Sequence, residues 1–190
     1  NGNWETLTSF DWSSLVILLS VLSMVVGNFT ALWQSNLKRL LAYSSIAHAG
    51  YMLLGFTVLS NMGITAVFLY LLFYVLMNMG AFYVVMLVAN KTNSEELESF
   101  SGLGSKNLFL FLAFAVFLIS LVGLPPTAGF IGKFYIFIAL LDKGMISLAV
   151  IALLNTVVSL YYYVKILKYI YINPAKNDAE PIKLVTGDYV

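Results

Sequence analysis

The chain has no cysteine, one histidine and four prolines among 190 residues, and only 10% of its side chains are charged. Each shortage closes off a class of protein. Without cysteine there is no disulfide scaffold, no iron–sulfur centre and no thiolate zinc site. One histidine and few carboxylates leave too little for an all-protein metal centre. No GxGxxG or GxxxxGK[ST] loop is present to cradle a nucleotide. Ten Lys and Arg against nine Asp and Glu give a net charge of +1, which offers neither a basic surface for nucleic acid nor an acidic tail. Any redox cofactor that this chain serves must therefore sit in a partner.

What is there is apolar. Hydrophobic residues make up 61% of the chain and the mean hydropathy is +0.90, far above that of a soluble domain with a charged surface. Charged side chains are absent from Trp12 to Leu37, from Leu40 to Asn90, from Asn107 to Gly132 and from Gly144 to Val164. Crossing about 30 Å of hydrocarbon takes roughly 20 helical residues, and every one of these runs is long enough. The second run is about twice that length. It is interrupted by Ser60-Asn61-Met62-Gly63, a polar, turn-forming cluster, and reads as two spans. None of the runs alternates with period two, as a transmembrane β-strand would.

The pattern predicts an all-α, polytopic membrane protein with about five transmembrane helices in a single transmembrane domain over 1–190, embedded in the lipid bilayer. The helices fall at roughly 12–34, 38–59, 64–89, 107–141 (interrupted) and 145–172, with 173–190 as a tail or loop. Five crossings place Lys38, Arg39, Lys91, Lys106, Lys165, Lys168, Lys176 and Lys183 on one side and only Lys143 on the other. The positive-inside rule makes the basic side cytoplasmic, so the N-terminus lies outside and the tail lies in the cytoplasm. The chain starts without methionine, Asn1 to Asp11 carries no signal-peptide features, and the last residue follows a second polar stretch. The expectation is a piece of a longer polytopic chain.

Polar residues inside the spans carry the functional signal. Two prolines and three glycines lie within Gly123-Leu124-Pro125-Pro126-Thr127-Ala128-Gly129-Phe130-Ile131-Gly132-Lys133. Proline lacks the amide donor and clashes with the preceding turn, so the helix must break near Val122 to Thr127. Exposed backbone is tolerated at that depth only where protein packs on it or where it lines a hydrated cavity, although a proline kink can also simply bend a packed helix. Pro125 and Gly129 would supply local plasticity. Lys133 follows the break by about two turns, and a lysine at mid-membrane costs on the order of 2.5 to 3.5 kcal/mol unless a cavity or partner compensates. A lysine held there can exchange a proton as its surroundings change. The alternative is a lysine that snorkels to the interface, as Lys165 and Lys168 do. Against that, Lys133 stands about eight residues from the Asp142-Lys143 turn, roughly 12 Å of helix.

His48 lies about ten residues into the second span, with Ser44, Ser45 and Tyr51 as its helical neighbours, so its own helix offers it a face of hydroxyls. Histidine titrates near about pH 6.5 and can relay protons in a hydroxyl-lined path; it can equally be a neutral packing residue. Tyr70, Tyr74 and Asn78 form a polar stripe on the third span, and Asn155, Thr156, Ser159 and Tyr163 lie on the fifth. Such residues act as interhelical hydrogen-bond glue or line a water wire. The segment from Lys91 to Lys106, with Glu95, Glu96 and Glu98, reads as a solvated loop.

Two strings carry a family resemblance. Asn36-Leu37-Lys38-Arg39-Leu40-Leu41-Ala42-Tyr43-Ser44-Ser45-Ile46-Ala47-His48-Ala49-Gly50-Tyr51 is followed at some distance by the Gly123 to Phe134 segment. Together they resemble the antiporter-like membrane subunits of respiratory complex I, relatives of multisubunit cation/proton antiporters. Lysine rather than glutamate at the break, no histidine pair on the preceding span and the Tyr161-Tyr162-Tyr163 run look most like the subunit N branch. The resemblance implies helices nine to thirteen of a fourteen-helix subunit, in the inner (plasma) membrane, beside paralogous antiporter-like subunits and other membrane subunits. It implies proton translocation coupled to electron transfer from NADH to quinone, with NADH, FMN, iron–sulfur clusters and quinone bound by other subunits and no cofactor in this chain. Lys133 would be the terminal proton site on the exit side and His48 part of the central hydrophilic axis, supported by Ser44, Ser45, Tyr51, Tyr74, Asn78 and Thr127. The family's lysine and glutamate of the first broken helix have no counterpart here, so this piece could not pump by itself.

Other classes compete with that reading. A secondary transporter would carry a cation or solute without NADH, and a purely structural subunit would use Lys133 only in assembly. A membrane transferase using His48 lacks any nearby nucleophile or carboxylate pattern.

Overall fold

A computed structural model describes residues 11–174. The expectations for the first ten residues and for most of the tail fall outside the described residues. Six helices run in order: α1 (Trp12–Leu32), α2 (Leu37–Thr57), α3 (Asn61–Thr92), α4 (Leu108–Val122), α5 (Ala128–Asp142) and α6 (Ile146–Tyr171). Among the described residues there is no strand, and the chain is a polytopic α-helical membrane protein.

Short polar side chains start the first three helices. Asp11 accepts from the Ser13 amide at 3.0 Å, Asn36 from Arg39 at 2.9 Å and Ser60 from Gly63 at 3.1 Å, each satisfying a donor that has no partner within its helix. The Ser60–Gly63 cluster is thus not a four-residue turn. Ser60 is the cap, and the following three residues already form the first turn of α3. At the other end α3 runs to Thr92, three residues beyond the expected end, and stops at Asn93 in the left-handed region.

By length and composition α1, α3 and α6 each qualify as membrane spans. Although α2 is as long as α1, it carries Lys38, Arg39, Ser44, Ser45 and His48, which lower its apolarity. The expected fourth span is two helices, α4 and α5, of 15 residues each. Each is about 22 Å long and falls short of about 30 Å of hydrocarbon.

The helix α2 sits at the centre, packed against α1, α3, α5 and α6, while α3 also packs on α4 and α5. Small residues set the closest crossing: a β-carbon at Gly27 would lie 2.6 Å from the Ala47 nitrogen, and one at Gly50 would lie 2.8 Å from the Ser20 carbonyl oxygen. The outward faces are apolar, with Leu18, Leu22, Phe68, Leu72, Leu112 and Val157 among the exposed side chains, the pattern suited to lipid or to further membrane helices.

The segment after α3 departs from the expected solvated loop. Two 3-10 turns, Leu97–Phe100 and Leu103–Ser105, bury Leu97, Phe100 and Leu103. The segment is stitched to the α1–α2 turn by Leu37 N–H to Glu95 O (2.8 Å) and Leu97 N–H to Ser35 O (2.9 Å). Glu95 takes Lys38 at 3.0 Å and the Asn36 amide at 3.2 Å. Burial of three apolar side chains explains the docking: the acidic run is solvated, but the Leu and Phe positions between the charges need a core.

Candidate functional site

The site begins with two missing amide hydrogens. In an unbroken helix, residues 125 and 126 would donate to the carbonyls of Leu121 and Val122, but both are proline and have no N–H. Accordingly, α4 ends at Val122, Gly123 turns left-handed at φ +85°, and the Pro125-Pro126 bond is cis. The two freed carbonyls face the interior at membrane depth, where an unpaired polar group costs several kcal/mol. Lys133 meets both: its Nζ donates to Val122 O at 2.8 Å and to Leu121 O at 3.3 Å. The side chain is 3% exposed, which excludes a snorkelling lysine.

Close approach of α5 to α4 makes that reach possible. The Gly129 amide donates to Ser120 Oγ at 3.0 Å, and a β-carbon on Gly129 would lie 1.7 Å from the Ser120 carbonyl oxygen. Gly129 lies within the first turn of α5. Its position requires the absence of a side chain. Gly132 serves the same end against α3, where a β-carbon would lie 2.5 Å from the Tyr70 ring.

The Lys133 ammonium also stands 4.7 Å from the centroid of the Tyr51 ring, a cation–π contact. His48 also neighbours Tyr51, with ring centroids 6.3 Å apart, so the tyrosine touches both basic residues. The Tyr51 hydroxyl is held by Ala152 O at 2.9 Å and Thr156 Oγ1 at 2.8 Å on α6.

His48 is buried, and its hydroxyl partners differ from those expected. Its bonds come from neighbouring helices: Tyr70 on α3 at Nδ1, and Tyr163 on α6 at Nε2 (3.4 Å). Tyr163 bonds in turn to Ser44. Ser44 therefore belongs to the cluster through Tyr163, one step removed from the imidazole. Ser45 spends its hydroxyl on Leu41 O at 2.9 Å, four residues back on its own helix. A neutral imidazole offers one donor and one acceptor, so one tyrosine donates and the other accepts; a protonated ring donates to both. The cluster can adapt to either state because Tyr163 can turn its own proton towards Ser44.

Of the remaining expected residues, Tyr74 lies beside His48, with ring centroids 5.0 Å apart and the rings tilted by 34°, and is half-buried. Asn78 stands outside the cluster, in a groove with Lys38 and Glu95. Thr127 does not face the cluster: its hydroxyl turns back to Leu124 O at 2.6 Å and closes the loop of the break. Asn28 on α1, not picked out from the sequence, bonds Asn155 on α6 at 3.1 Å and accepts from Tyr162 at 3.0 Å. A lone asparagine in an apolar helix was the only signal for it. Among the described residues no three His, Asp or Glu side chains converge to hold a metal ion.

A lysine docked on a proline-broken helix, beside a histidine–tyrosine cluster inside a helical bundle, defines a polytopic membrane protein of the broken-helix type. The family described as NADH:quinone oxidoreductase/Mrp antiporter, transmembrane, matches residues 4–159, and the chain belongs to that family. It is 58% identical over 158 residues to the NADH-quinone oxidoreductase subunit N of Chlorobium chlorochromatii, covering 82% of this chain and 31% of that protein. Among solved structures, a chain of respiratory complex I from Thermus thermophilus matches with a TM-score of 0.76 at 43% identity, over 86% of this chain and 37% of that one. A chain of the Mrp complex from Dietzia sp. DQ12-45-1b matches with a TM-score of 0.83 at 26% identity, over 87% and 31%. The chain spans about a third of the length of the curated relatives it matches.

Proposed function

We propose that this chain is the part of a complex I membrane subunit, of subunit N type, that carries a proton between His48 and Lys133 as NADH-to-quinone electron transfer proceeds elsewhere in the complex. Lys133 takes up a proton on its amine and releases it towards the exit side, and His48 passes protons along the buried axis. NADH, FMN, iron–sulfur clusters and quinone belong to other subunits of that complex, and paralogous antiporter-like subunits are its neighbours. The basic ends of α2, α3 and α6 face the cytoplasm of a bacterial cell, with the start of α1 on the opposite side of the plasma membrane.

The observation that carries this reading is the docking of Lys133 on the two carbonyls left free by the proline pair, with Tyr51 in contact with both Lys133 and His48. Two like charges on coupled sites repel, so a proton arriving at one site drives release from the other. Identity of 58% to a subunit N supports the complex I assignment. The Mrp match at TM-score 0.83 supports a second reading, a cation/proton antiporter subunit that works without NADH.

The test is NADH-driven proton translocation in membrane vesicles carrying Lys133→Ala in the full-length subunit, with assembly checked on native gels. Loss of pumping in an assembled complex is the expected result. Lys133→Arg is expected to lose pumping as well, because arginine keeps its proton in proteins. Full pumping by either variant would overturn the assignment, and loss of assembly alone would favour a structural role.

A further inference from the structure

The hydroxyl of Tyr51 is committed to α6. It bonds Ala152 O at 2.9 Å and Thr156 Oγ1 at 2.8 Å, and Thr156 Oγ1 donates in turn to Ala152 O at 3.1 Å. A phenol has a single proton, and these two partners occupy it. The ring is thereby held at both ends, by its own backbone on α2 and by α6, and Tyr70 packs against it at 6.5 Å with the ring planes at 71°. What this fixed ring offers Lys133 is its face, with Nζ lying over it at 4.7 Å from the centroid.

A buried ammonium needs something in place of water. Among the described residues no carboxylate is paired with Lys133. Its partners are two carbonyl oxygens, at 2.8 and 3.3 Å, and the Tyr51 ring. The carbonyls accept from the amine in either protonation state, whereas the ring quadrupole attracts the cation far more strongly than the neutral amine. We propose that Tyr51 is a positioning residue that acts through its ring face, selecting the ammonium form of Lys133 in the role a carboxylate would otherwise fill. The proposal rests on the preceding reading of Lys133 as a proton carrier. A ring suits that role because it has no net charge, so no uncompensated anion stays in the membrane once the proton leaves. The competing account is that Tyr51 only fills space and ties α2 to α6, which depends on the shape of the ring and not on its electrons.

Fluorine separates the two accounts, because each fluorine on a ring drains the negative face while leaving its size nearly unchanged. In the full-length subunit, residue 51 is replaced by phenylalanine and then by phenylalanine bearing one, two and three fluorines, introduced by stop-codon suppression. NADH-driven proton translocation is measured in inverted vesicles, with assembly checked on native gels. The expected result is a stepwise fall in pumping along the series, reaching about tenfold between phenylalanine and its trifluoro form. The same series at Phe114, buried in the apolar core, is the comparison and is expected to stay level. A level series at 51, or an equal fall at both positions, overturns the proposal and leaves Tyr51 a packing residue. If Tyr51→Phe fails to assemble, a singly fluorinated tyrosine at 51 keeps the hydroxyl and its bonds to α6; a fall of about twofold is expected, and unchanged pumping overturns the proposal. If Lys133→Ala abolishes pumping while the series at 51 is level, the role of Lys133 stands and that of the ring alone fails. Full pumping by Lys133→Ala removes both.

Discussion

Gly129→Ala tests whether the approach of α5 to the break is what positions the lysine. An added β-carbon would lie 1.7 Å from the Ser120 carbonyl oxygen and 2.7 Å from its carbon. Both atoms are backbone, so no side chain can swing away. Restoring an ordinary contact of 3.4 Å requires the two segments to part by about 1.7 Å. Lys133 lies one turn along the same helix and moves with it. Its 2.8 Å bond to Val122 O then stretches to roughly 4.5 Å, outside hydrogen-bonding range. Overpacking costs about 1–3 kcal/mol and loss of a hydrogen bond to a charged group about 1.5–3 kcal/mol. The assay is proton translocation per NADH oxidised in inverted vesicles bearing the full-length variant, with assembly confirmed on native gels. The expected outcome is an assembled complex with impaired pumping. Gly80→Ala is the control, since the three atoms nearest its β-carbon all belong to the Phe117 ring, a side chain that can yield, and pumping is expected to persist. If Gly129→Ala does not assemble, Ser120→Ala removes the acceptor of the Gly129 amide without adding atoms. Wild-type pumping by assembled Gly129→Ala would refute the positioning argument.

Two further perturbations probe the frame around the site. Asn28→Ala removes the bonds that tie α1 to Asn155 and Tyr162 on α6; at about 0.6 kcal/mol for each membrane hydrogen bond the loss is about 1–2 kcal/mol. A lowered thermal midpoint of the purified complex is the expected reading, and an unchanged midpoint would deny the tie its role. At the basic end, hydrogen bonds from Lys38 and Asn36 hold the Glu95 carboxyl below its usual range. A depressed carboxylate contributes its stability above the ordinary carboxylate range and loses it as pH falls through the lowered value. Amide protection at Leu37 and Leu97 is therefore expected to fall on acidification, and Glu95→Gln to lower it already at neutral pH. Protection that is flat across that range would refute the clasp.

The fold was legible in the sequence wherever single-residue chemistry decides it. Charge-free runs located the helices, Asn36 and Asp11 cap them, and Pro125-Pro126 placed the break near Val122 to Thr127, which is the gap between the end of α4 at Val122 and the start of α5 at Ala128. What escaped depends on which faces meet. Periodicity gave His48 the hydroxyls of its own helix, yet its partners are Tyr70 and Tyr163, which lie 22 and 115 residues away. The docked segment after α3 was hidden by its charges, since three acidic residues in a row of four outweigh Leu97 and Phe100 on any average. Tyr70 and Tyr163 were visible as polar points on apolar helices, but only packing shows that they converge on one imidazole.

The prolines and the lysine were read as separate signals, and the structure joins them into one chemical unit. Proline at 125 and 126 removes the two amides that would have served Leu121 O and Val122 O, and Lys133 supplies both missing donors. An ammonium has three N–H donors and a neutral amine two, so both carbonyls stay served after a proton leaves. The bonds lose their charge assistance in that state and lengthen, yet neither carbonyl is orphaned. A carboxylate at 133 could not do this, since it has no donor to give when ionised. With lysine at 133 the break therefore keeps a donor for each carbonyl in both protonation states of the amine.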